Sequence, residues 1–108
     1  MAKVTCADIE AKLRAWAAGH IEAPALHEWA EYHHSSKWER ENDSVNEVLG
    51  HLDMLDMNLV TQEDIPTLLL ALRARDAAAI LEAHAKSIDF GVRKKQLRKS
   101  PFYARFCK

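Results

Sequence analysis

Three of the six histidines fall in one eight-residue stretch, HEWAEYHH, residues 27–34. His27, Glu31 and His34 recur at i, i+4 and i+7, which is one face of a helix. Imidazole and carboxylate groups on one face invite a metal reading. Glu31 and His34 also make the Glu-x-x-His spacing used in di-iron helical bundles. Those bundles need a second such motif and two further glutamates. The next candidate fails, because Glu47 is followed three residues on by Gly50. The zinc-protease pattern fails too, since His27-Glu28 leads to Glu31 where a second histidine is required. Solvated or helix-end histidines describe the set better. The expectation is no metal and no cofactor.

Other chemistry is equally incomplete. Asp89-Phe90-Gly91 matches a kinase triplet, but a chain of 108 residues cannot hold a kinase fold, and no Gly-rich or catalytic loop accompanies it. Cys6 stands near the start of the first helix, where a thiol pKa can fall, yet nothing in the sequence ties it to a base. The three glycines are isolated, so no phosphate-cradling loop exists. The sequence carries no enzyme signature.

Charge is distributed unevenly. All sixteen acidic residues lie in 1–89, together with eight Lys or Arg. Residues 90–108 hold the other seven basic residues and no acid. Opposite signs in two parts of a chain point to self-neutralisation or to two binding faces. The basic segment supplies Arg93, Lys94, Lys95, Arg98 and Lys99, with Phe102, Tyr103 and Phe106 nearby. That is the charge and stacking equipment of a nucleic-acid binder, and a small nucleic-acid-binding regulator is the alternative reading. The acidic body repels phosphate and argues against it. The blander reading docks the basic side chains on that body.

The acids Glu39, Glu41, Asp43, Glu47, Asp53, Asp56, Glu63 and Asp64 are opposed within their own stretch only by Arg40. Such a surface is commonly just solvated, and it can also steer association with a basic partner. Tyr32 and Trp38 adjoin it as candidate anchors. The predicted partner-binding set is therefore Tyr32, Trp38, Glu39, Glu41, Asp43, Glu47, Asp53 and Asp56.

The elements that must position these residues are helical. Thr5 with Asp8 makes a capping box before Ile9, Leu13 and Trp16, and Gly19 suits a left-handed helix end. Pro24 fits the first turn of a second helix carrying Leu26 and Trp29. The polar stretch around Trp38 reads as a loop. Asn42 or Asp43 caps a third helix whose apolar stripe runs from Val45 through Val48, Leu49, Leu52 and Leu55 to Leu59. Thr61 with Asp64 restarts the chain, and TLLLALRA reads as a buried central helix. Asp76 caps the segment holding Ile80, Leu81 and His84. Ser87 or Asp89 opens a last helix that Ser100-Pro101 breaks, and FYARFCK folds back as a turn.

The fold class is all-α: a compact single-domain bundle of five to six helices over residues 1–108, with short connections. Its expected core is Ile9, Leu13, Trp16, Leu26, Trp29, Val48, Leu49, Leu52, Leu55, Leu69, Leu72, Ile80 and Leu81. No apolar run is long enough to cross a bilayer, the N-terminus lacks a secretory core, and Cys6 and Cys107 read as reduced thiols. The expected setting is the cytoplasm, as a monomer or small homo-oligomer away from membranes.

The segments DIEAKLRAWAAGHIEAPALHEWAEYH and VNEVLGHLDMLDMNLVTQEDIPTLLLAL resemble small helical bacterial immunity proteins, of the colicin D immunity and contact-dependent inhibition immunity kinds. The basic C-terminal segment lies outside the likeness. The resemblance implies a non-enzymatic protein that binds a cognate toxin domain, often a nuclease. It would cover the active site or substrate groove with acids placed where phosphates would sit.

Overall fold

In the computed structural model, residues 3–35 and 37–107 are described. Lys108 of the basic segment and Ser36 of the loop before Trp38 lie outside them. A pair of two-residue strands and six α-helices make up these residues. In chain order they are β1 (Lys3–Val4), α1 (Cys6–Ala17), α2 (Ala23–His33), β2 (Glu39–Arg40), α3 (Asp43–Asp53), α4 (Ile65–Leu72), α5 (Ala77–Ser87) and α6 (Phe90–Leu97). Single 3-10 turns precede α4 and close the chain. None of these helices is long and apolar enough to cross a membrane.

Local chemistry explains the boundaries. Thr5 and Asp8 exchange side-chain and backbone hydrogen bonds at the start of α1, and Thr61 and Asp64 repeat the arrangement before α4. Asn42, Asp76 and Asp89 cap α3, α5 and α6 through their side-chain oxygens. Gly19 ends α1 at φ +81°, with His20 N–H reaching Ala15 O and Gly19 N–H reaching Trp16 O. The third helix stops at Asp53, six residues short of the end of its apolar stripe. Residues 54–59 turn instead, and the turn closes by the same pair of bonds, Val60 to Leu55 and Leu59 to Asp56. Leu59 takes the left-handed position at φ +52°, a strained place for a branched side chain. Leu59 is nevertheless buried, so the stripe meets the core through a turn.

The parallel pairing of β1 with β2 has no counterpart in the sequence reading. Two-residue strands show no alternation to detect. They tie the N-terminus to the connection between α2 and α3, and Val4 enters the core there.

The buried side chains form one cluster to which every helix except α6 contributes apolar residues. Ten of the thirteen expected core residues are buried, while Trp29, Leu69 and Ile80 are half-buried against the cluster. The tail is docked. Tyr103 and Cys107 are buried, and Phe102 and Phe106 pack against the same core. The radius of gyration, 13.4 Å, matches the roughly 13 Å of a compact chain this long. Cys6 and Cys107 carry no disulfide.

Candidate functional site

α2 and β2 both pack on α3, and all three elements carry exposed acids. Because α3 turns Val45, Val48, Leu49 and Leu52 inward, Asp43 and Glu47 stand one turn apart on its solvent side. Glu39 and Glu41 are exposed at β2 and just after it, and Glu28 and Glu31 are exposed on α2. None of Glu28, Glu31, Glu39, Asp43 and Glu47 is ion-paired among the described residues.

An aromatic platform is built from α2 and the connection that follows it. Trp29, His33 and Trp38 stand ring to ring, with centroids 4.6 and 4.4 Å apart. Tyr32 leans its ring against Trp38 at 6.0 Å and remains 61% exposed. His33 is fixed by a hydrogen bond between Nδ1 and Trp29 O at 2.8 Å. Trp38 is half-buried and belongs to the core margin. Arg40 pins this corner by donating to Trp38 O at 2.9 Å and to His34 O. Its buried Nε has no partner among the described residues.

Asp53 and Asp56, of the predicted binding set, are half-buried and have partners within the fold. The Asp53 carboxylate meets His34 Nδ1 at 2.9 Å, and its backbone oxygen meets His27 Nε2 at 2.9 Å. Asp56 lies 3.5 Å from His27 Nε2 and 3.7 Å from Arg105, with 13% of its side chain exposed. These two acids face histidines of α2 and the C-terminal turn, because α3 ends at Asp53 and the chain then bends inward. Asp64 departs further from a solvated acid, being 2% exposed. It accepts hydrogen bonds from Thr61 N–H at 2.9 Å and Arg93 Nη1 at 2.8 Å, and pairs with His84 Nε2 at 2.7 Å. Burial pushes its carboxyl upward, but the bonds from His84, Thr61 and Arg93 outweigh burial and hold it below the usual range.

The same pair removes Arg93 from the predicted nucleic-acid set. Its buried guanidinium also donates to Leu59 O at 3.2 Å. Lys94 is half-buried, while Lys95, Arg98 and Lys99 are exposed on the outer side of the tail.

Sequence reasoning missed two features. One is the network of Asp64, His84 and Arg93, for which the capping motif at Thr61 was the sole hint. The other is a cavity of about 590 Å³ lined by His51, Leu59, Leu81, Phe90, Lys94 and Phe106 among others. Burial, then the charge of nearby His84, depress the His51 pKa, against the opposing pull of Asp64. On the acidic side, one ligating atom each of His27, Glu31 and Asp53 lie within 4.8 Å of one another. Comparison of the chain with protein-family models, curated proteins and solved structures gives no match.

Proposed function

We propose that the protein is a non-enzymatic binding protein of the immunity type, which neutralises a basic toxin domain by covering its active site or nucleic-acid groove. The supporting observation is the exposed face of Glu39, Glu41, Asp43 and Glu47 beside Tyr32. Acids without ion pairs on a folded surface cost self-repulsion, and long-range attraction to a basic partner offsets that cost. Tyr32 adds an aromatic anchor whose position is already set by Trp38, so little side-chain entropy is lost on contact. Asp53, Asp56 and Asp64 contact histidines or arginines of the fold and are not part of the proposed interface. The basic residues Lys95, Arg98 and Lys99 lie outside the proposed interface, and a partner of nucleic acid is the competing outcome.

The test reverses Glu39, Glu41, Asp43 and Glu47 to Lys together. Both proteins are used as bait in lysate of the native host, with and without nuclease treatment, at low and high salt. One stoichiometric basic protein should bind the native chain, and its toxic activity should fall on titration with that chain. The reversed protein should stay folded, somewhat less stable because Glu41 accepts a hydrogen bond from Cys6 N–H at 3.3 Å and Asp43 stands in the first turn of α3, and should lose the partner. Retention of the partner by the reversed protein, or capture of nucleic acid alone, would reject the reading.

A further inference from the structure

The helix stripe His27, Glu31, His34 is incomplete as a metal site by sequence. The fold completes it from a different helix. Asp53 at the end of α3 enters beside α2, and its carboxylate, the Glu31 carboxylate and a His27 ring nitrogen converge within 4.8 Å. We propose that His27, Glu31 and Asp53 bind one first-row divalent cation of the zinc or cobalt class.

Three observations carry the assignment. The donor set is one imidazole and two carboxylates with no thiol, which suits a borderline divalent ion over copper(I) or an iron–sulfur cluster. The donors come from two packed helices, so tertiary structure holds them together. Their orientation is also held by hydrogen bonds, one from His34 outside the trio and one within it. His34 Nδ1 meets the Asp53 carboxylate at 2.9 Å, and the Asp53 backbone oxygen accepts from His27 Nε2 at 2.9 Å. A carbonyl can only accept, so Nε2 is the donor of this bond, which holds the His27 ring in place. Hydrogen bonds of this sort orient metal ligands and fix the imidazole tautomer. Charge agrees with the geometry. Glu31, Asp53 and neighbouring Asp56 are three carboxylates, and Arg105, 3.7 Å from Asp56, is the one Lys or Arg ion-paired to them among the described residues. Three protein ligands leave a coordination position for water or for a side chain of another molecule.

The experiment uses tag-free full-length protein, zinc chloride in calorimetry, and cobalt(II) in visible absorption. Glu31→Gln is the decisive variant, because Glu31 is exposed and makes no hydrogen bond or ion pair among the described residues. His27→Gln removes the nitrogen, and His34→Gln removes only the support of Asp53. Expected are one zinc per chain, a cobalt spectrum of low coordination number, and a zinc-induced rise in melting temperature. Glu31→Gln and His27→Gln should abolish the rise, and His34→Gln should weaken binding about tenfold. Absence of saturable binding overturns the proposal. So does binding unchanged in both Glu31→Gln and His27→Gln, which would put the ion on other histidines.

Discussion

At the scale of single residues, the buried pair of Asp64 and Arg93 is the most consequential feature of the chain. A buried charge stripped of its partner is strongly destabilising, by about 3–5 kcal/mol. Arg93→Met, which leaves Asp64 without the guanidinium, should lower stability by about that amount in urea titration. Lys95→Met, on the exposed face of the same helix, should change it by less than about 0.5 kcal/mol. Equal effects from the two would mean that Arg93 is not a core residue. Tyr103 donates its hydroxyl to Val60 O, and burial, then the Asp64 charge, push its pKa up. Tyr103→Phe should cost about 1–3 kcal/mol, since the Val60 carbonyl then loses its donor. His51 gives a pH signature. Its folded pKa is depressed below 6.5, so between that lowered value and 6.5 the unfolded chain holds more protons. Stability should therefore be fully present above pH 6.5 and fall with acidification through that window. His51→Gln should flatten the dependence, as read from urea midpoints at pH 7.5 and 5.5. Asp64 acts lower on the scale. Its carboxyl is held below 3.8, so its contribution is present above that pH and is lost as pH falls through the folded value.

At the scale of elements, Gly50 of α3 stands against His34 at the C-terminal end of α2. A methyl group there would approach His34 Nε2 to 3.3 Å, and that atom is the far end of a half-exposed side chain. His34 can swing away, while alanine favours the helix by about 0.5–1 kcal/mol over glycine. Gly50→Ala should therefore raise thermal stability slightly and displace the His34 ring from Asp53, visible as a shift in its imidazole NMR signals. A fall in melting temperature would show that the His34 pair outweighs helix propensity. The turn after α3 has the opposite character. Leu59 holds a left-handed backbone while filling the core, and its carbonyl is fixed by Arg93. Strain of about 1–3 kcal/mol is tolerated there because side chain and carbonyl are both held.

At the scale of the whole molecule, charge is divided between structure and surface. The acids nearest the C-terminal segment are taken up by Arg93, Arg105 and histidines, while those on β2 and the solvent side of α3 have no such partners. Reversing Glu39 and Glu47, whose side chains make no hydrogen bond or ion pair among the described residues, should leave the melt unchanged and reduce the rate of association with a basic partner, most strongly in low salt. The docked tail also ties the fold together, because Tyr103 and Cys107 close the core over Val60. The helical segments, their caps and most of the core were legible in the sequence. Apolar residues at helical spacing, and Ser, Thr, Asp or Asn before them, act within one or two turns of chain. Leu69 and Ile80 show the limit, since their stripes are right and their depth depends on which neighbours arrive.

The sequence by itself determined an all-α chain, the capping boxes at Thr5 and Thr61, the left-handed end at Gly19, and the presence of an acidic stretch beside a basic one. These follow from local backbone preference and periodicity. Tertiary structure alone decided which acids reach solvent. Asp53, Asp56 and Asp64 read the same as Asp43 and Glu47 along the chain, and only the inward turn after α3 and the docking of α6 gave them histidine and arginine partners. The meeting of Asp53 with His27 and Glu31 is likewise a product of two helices packing. A side chain's burial and its charge partners are pair properties set by residues distant in sequence, and periodicity carries no record of them.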